Sequence, residues 1–165
     1  MTTDAEVWRQ LAGLKGHFVI YALSFIVLGT YWIGDHFQFH FVHKVDRGFL
    51  WLNLLYLLFI TLLPFSANLL GGSHDLHIPV VGYGVNLLLL SLISLVKLRY
   101  LTQRPELCHE GLTPTRVADA YRRILLAALI SGASIAISFY SPQIAVNAYW
   151  LLLAVHFLVA RKQRV

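Results

Sequence analysis

Five long apolar runs constrain this chain more than any other feature. They cover residues 17–34, 48–70, 78–96, 124–140 and 144–160, with short polar connections between them. A run of 17 or 18 residues, at 1.5 Å rise, is a helix about 27 Å long, enough to cross a bilayer core with little tilt. A soluble helical bundle would interrupt such runs with polar residues at helical period, but Leu87–Leu90 and Ile124–Ile130 carry almost none. Composition agrees. Of the 165 residues 58% are apolar and 13% charged, and the charged share is about half that of an ordinary soluble domain. The length leaves no room for a separate soluble domain beside the spans. The expected fold is an all-α polytopic membrane bundle of five transmembrane helices, with the lipid bilayer as its surroundings.

The flanking segments refine this outline. In residues 1–16, Val7, Trp8, Leu11 and Leu14 share one helical face, with Arg9, Gln10 and Lys15 elsewhere. This is the pattern of an interfacial helix. It lacks the basic start and continuous apolar core of a signal peptide. The transmembrane bundle is expected over 17–161, with Gly71-Gly72-Ser73 and Ser141-Pro142 as turns inside it, and a tail over 162–165. Eleven of the 13 Lys and Arg residues fall in the segments 35–47 and 97–123 and at the C-terminus, alternate connections that must share one side. The positive-inside rule puts that side, and the C-terminus, in the cytoplasm. Five spans then leave the N-terminus outside, a pattern that one more spanning helix before residue 1 would correct. The net charge of +5 is thus spread over helix ends and forms no nucleic-acid-binding patch.

Little in the sequence suggests catalysis. The single cysteine, Cys108, excludes an internal disulfide and Cys-based metal clusters. His17 and His156 belong near opposite membrane faces and cannot share a haem. His36, His40 and His43 follow Asp35 at a spacing that could gather a divalent ion on a helix, but the segment reads as a solvated connection. His74, Asp75 and His77 form a second weak cluster. No carboxylate is expected deep in a span, which disfavours a proton-coupled transporter. Neither enzymatic activity, a cofactor nor a resident metal is expected. Asn53, Asn86 and Asn147 lie within spans, where a carboxamide is costly unless paired, so they read as interhelical hydrogen-bonding groups. Trp32, His36 and Trp51 read as an interfacial belt.

One stretch carries a resemblance. Tyr21-Ala22-Leu23-Ser24-Phe25 leads into Tyr31-Trp32, Asp35-His36 and Phe39. Asp46-Arg47, the run Trp51–Phe59 with Asn53 inside it, and Leu63-Pro64-Phe65 follow. This resembles the second and third helices of the prokaryotic transmembrane protein 175 family, six-helix potassium-permeable channels, and the later runs are similar to that family in number and length. The resemblance implies a potassium leak channel subunit of the cytoplasmic membrane, a homotetramer with potassium as the permeant ion. It places Trp32, His36 and Asn53 in a network that braces the family's pore-lining first helix. Two departures stand out. The family has a His pair where this chain has Asp35-His36, and the family's first helix, with its Phe-Ser-Asp motif, has no counterpart in the sequence. A non-conducting structural or accessory membrane subunit is the alternative expectation.

Other motifs read as packing features. Val81-Gly82-Tyr83-Gly84 is similar to a potassium-channel selectivity filter, but Val80 stands in place of the filter's Thr and the run continues into an apolar span. The plainer expectation is that Pro79 starts a helix and the glycines permit close packing. Pro64 is expected to kink the second span. Ala128, Gly132 and Ala136, four residues apart, form a small-residue face expected to make a tight helix contact within or between subunits.

Overall fold

The computed structural model describes residues 15–72, 76–109 and 112–149, together with Glu6, Trp8 and Gly13. Most of the expected interfacial segment and of the fifth apolar run, the tail, and His74, Asp75, Glu110 and His156 lie outside the described residues. The described chain is helical. Helix α1 is Lys15–Phe39, α2 Arg47–Gly72 and α3 His77–Thr102; a single 3-10 turn, Pro105–Leu107, precedes α4, Pro114–Ser138. A further helix, α5, begins at 142 and is described to 149. Among the described residues there is no strand, only an isolated bridge between Val42 and Cys108.

Helices α2, α3 and α4 are each long and apolar enough to cross a membrane. Helices α1, α2 and α3 outrun the apolar stretches that mark them at both ends, and α4 does so at its start, because an apolar run records hydrocarbon depth whereas a cap records where hydrogen bonding starts. Asp46 caps α2, its Oδ1 accepting from the Phe49 amide at 2.8 Å. Thr113 caps α4 through the Arg116 amide at 3.5 Å, with Pro114 in the first turn. Helix α4 therefore starts ten residues before its apolar run, and Arg116, Arg122 and Arg123, expected in a connection, lie on it. Lys97 and Arg99 similarly lie on the last turns of α3, and Asp35 on the last turns of α1.

Helix α3 is the centre. It packs against both α2 and α4, and α1 packs on α2. Half of the apolar window of α3 is buried inside the chain, against 22% and 17% for α2 and α4, so the latter two present most of their side chains outward. The core joins Tyr56, Ile60 and Leu63 of α2 to Val80, Leu87 and Leu90 of α3, with Tyr31 of α1 and Ala127 of α4. Outward-facing Phe18, Trp51, Phe65, Ile78 and Leu129 are exposed, as expected of side chains that meet lipid.

The α3–α4 contact is built from small polar residues. Ser131, Ser134 and Ser138 of α4 are fully buried with Ala127, and α3 buries Ser91 and Ser94 along its own length. The hydroxyls of Ser91, Ser131 and Ser134 donate to carbonyls one turn back, at 3.0, 2.8 and 2.8 Å. Each thus satisfies itself within an apolar contact. Across α2–α3, Asn86 donates to Ser66 Oγ at 3.1 Å. Helix α5 is pinned by Tyr149, whose hydroxyl donates to the Val80 carbonyl at 2.8 Å. Gly84 makes room for it: a Cβ there would collide with the Tyr149 hydroxyl and approach Ile135 Cγ1 to 2.7 Å.

Candidate functional site

Three helices converge on one ammonium group. Asp35 and Phe39, four residues apart, share a face at the end of α1, and Phe49, Asn53 and Tyr56 form the matching face of the first turns of α2. Lys97, from the last part of α3, enters between them. Its Nζ donates to Asp35 Oδ1 and to Asn53 Oδ1 at 2.9 Å. It also sits over the rings of Tyr56, Phe39 and Phe49, at 4.6, 5.0 and 5.5 Å from their centroids. Lys97 is fully buried and Asp35 is 8% exposed. The chamber walls also hold one another. Phe39 and Phe49 meet edge to face at 5.3 Å, and the Tyr56 hydroxyl donates to the Tyr31 carbonyl at 2.9 Å.

Every group facing the ammonium is electron-rich: a carboxylate, a carboxamide oxygen and three aromatic faces. A buried charge is tolerated only when such partners replace its water, and ring faces add attraction that grows as the cation is desolvated. The arrangement can hold a monovalent cation, and it offers no nucleophile or proton acceptor beyond a carboxylate already paired.

A clasp joins the two connections beside this chamber. The His43 and Lys44 amides donate to the Leu107 carbonyl at 2.7 and 3.2 Å, and the His109 amide to the Phe41 carbonyl at 2.9 Å. Asp46 Oδ2 accepts from the Tyr100 hydroxyl and from Arg104, both at 2.6 Å. Gly48 permits this approach, since a Cβ there would overlap the Tyr100 ring. The Asp46 carboxyl is held below the ordinary carboxylate pKa, by the Tyr100 hydrogen bond above all, then by the Phe49 amide and Arg104. Burial, and secondarily Glu106, pushes the Cys108 thiol up. The connections after α1 and after α3 therefore lie on one side and touch, as alternate loops of a spanning bundle must.

The residues singled out in the sequence are distributed differently. Asn53 is in the Lys97 chamber. Trp32 and His36 are exposed on another face of α1, stacked on each other at 5.4 Å, so the structure does not bring them to Asn53 within one chain. Helix α1 ends at Phe39, which breaks the helical spacing of His36, His40 and His43. The His43 ring instead faces His109 at 4.6 Å. Asn147 is exposed. Val81–Gly84 lies inside α3, and no described glycine has positive φ, so this run has helical geometry and not that of a filter loop. Gly82 is open where Gly84 is tightly packed. Helix α2 continues through Pro64. Ala128, Gly132 and Ala136 are offset from the buried serine stripe, and a Cβ on Gly132 would meet nothing within 4 Å. Among the described residues, then, Gly132 on that face makes no tight contact.

The chamber is not visible along the sequence: Asp35 falls in the segment 35–47 expected as a cytoplasmic connection and Lys97 among the basic residues that mark topology, yet both are buried. Their signals were present: a lysine directly after an apolar run, and an ionisable residue in a position that costs energy unless it is used.

Comparison with known proteins gives the chain relatives. The family model described as Endosomal/lysosomal potassium channel TMEM175 matches residues 1–64. A protein named as a potassium channel in Chryseobacterium sp. (strain P1-3) is 32% identical over 149 residues, covering 90% of this chain and 76% of that protein. Another so named, in Streptomyces collinus (strain DSM 40733 / Tue 365), is 24% identical over 150 residues, covering 88% of this chain and 73% of that protein. No solved structure matches.

Proposed function

The chain belongs to the TMEM175 family of potassium channels, and from that premise we propose that it is a subunit of a potassium-permeable leak channel. In this reading it is a homotetramer in the cytoplasmic membrane, with five spans and a cytoplasmic C-terminus. Helix α1 and the apolar run 144–160 supply the two spans beside the three apolar helices. Permeation needs a lined path and no catalytic group, so no enzymatic activity is assigned. The observation that carries the reading is the 32% identity to a named bacterial potassium channel across nine-tenths of this chain.

The structure adds a constraint on where such a path runs. The centre of the described bundle is filled by Tyr56, Leu63, Leu87 and Leu90, all essentially buried. The gap at its loop end is occupied by Lys97. Potassium would therefore pass between subunits, and the open Ala128–Gly132–Ala136 face of α4 supports a close contact between copies. The exposed Trp32–His36 pair would likewise find its partners across a subunit boundary. A cation flux assay in liposomes tests this. Potassium should pass in preference to sodium, with the Chryseobacterium protein as the positive control. Absence of flux while the control conducts would favour a non-conducting accessory subunit.

A further inference from the structure

We propose that the Asp35–Asn53 chamber is a monovalent-cation site whose occupant is the chain's own Lys97 ammonium. The proposal rests on the chamber's walls and is independent of whether the protein conducts. Asp35 and Asn53 present oxygens to Lys97 Nζ. Phe39, Phe49 and Tyr56 close the other sides with ring faces. Such a set selects for a weakly hydrated cation, because ring faces replace a loose hydration shell more readily than a tight one. Ammonium, alkylammonium and potassium meet that condition better than sodium.

The walls do not depend on the lysine for their position. Phe39 and Phe49 pack on each other, Tyr56 is tied to Tyr31, and Phe49 is anchored through its amide to Asp46. Shortening Lys97 to Ala therefore leaves a chamber with a carboxylate at one end and the volume of a propyl chain leading into it. That cavity should take n-propylammonium, with its amine where Nζ was, and more weakly potassium. In the native chain the tethered ammonium keeps solute cations out and Asp35 neutralised.

The test is thermal unfolding of the purified full chain in detergent, at constant ionic strength, titrated with n-propylammonium, potassium, sodium or choline. Lys97→Ala should melt below the native protein in sodium and recover in a saturable way with n-propylammonium, less with potassium and not with choline. The native chain and the double variant Asp35→Asn/Lys97→Ala should show no such cation-specific shift. Asn53→Leu added to Lys97→Ala should weaken n-propylammonium binding about tenfold, the value of one hydrogen bond to a charged group. A flat titration of Lys97→Ala in all four cations would overturn the proposal. Equal recovery in the double variant would do the same. So would failure of Lys97→Ala to purify with n-propylammonium present while the double variant purifies.

Discussion

Truncating Lys97 to Ala leaves the Asp35 carboxylate buried without its cation, and removing one member of a buried pair costs about 3–5 kcal/mol. Asp35→Asn should cost a similar amount by stranding the ammonium. Replacing both, as Asp35→Leu with Lys97→Met, removes two desolvation costs along with one attraction and should restore most of the stability. Unfolding in detergent, read as a double-mutant cycle, checks this; two additive losses would show that the groups are not paired. Asp46 behaves differently because it is only partly buried and in contact with water. Its pKa is lowered in the folded chain, so its contribution is present above the ordinary carboxylate range and is lost as pH falls through the folded value. Acidification should thus loosen the clasp, and Asp46→Asn should remove most of that pH dependence. Hydrogen exchange at the Phe49 amide follows it directly. At Gly84 the constraint is steric. Gly84→Ala should separate α5 from α3, where Gly82→Ala, in open space, should be tolerated.

Helix α4 has two small-residue faces, and among the described residues only the serine face is fully buried. Ser131, Ser134 and Ser138 are fully buried, so Ser134→Leu should force α4 from α3 and lower the monomer's stability by the few kcal/mol typical of overpacking, about 1–3. Gly132→Leu should leave the monomer's melting temperature close to native, because a Cβ there meets nothing within 4 Å. If copies associate through this face, Gly132→Leu should instead shift the oligomer toward monomer in size-exclusion with light scattering. A native oligomer in that variant would show that the face meets lipid. The elements themselves were legible from apolar run length, and their ends were legible in the caps Asp46 and Thr113-Pro114. The serine stripe was less visible. Serine is read as polar, and only the back-bonded hydroxyls, each satisfied on its own helix, allow it to pack as a small apolar residue would.

For the whole molecule, the clasp fixes the connections after α1 and α3 on a single side. Which side that is can be measured with cysteines. Native Cys108 is a poor probe, since it is partly buried and its thiol pKa is raised, both of which slow labelling whichever side it faces. In a Cys108→Ser background, Glu106→Cys and Lys44→Cys are exposed positions. Both should resist an impermeant thiol reagent on intact cells and react after permeabilisation. Labelling of both on intact cells would invert the orientation.

The sequence by itself determined the class of fold and much of its layout. Apolar runs too long and too uniform for a soluble bundle require a bilayer, and their caps and connections follow from local chemistry. The family too was legible, because its aromatic and polar residues recur at fixed spacing between Tyr21 and Phe65. What only the tertiary structure decided is which residues meet. Asp35 and Lys97 lie 62 positions apart, and nothing local distinguishes a buried ion pair from two charges at helix ends. Their partnership depends on how α1, α2 and α3 are brought together, and so does the choice between Ser134 and Gly132 as the inner face of α4. Helical period fixes which residues share a face, but only the packing of neighbouring helices decides which face is covered.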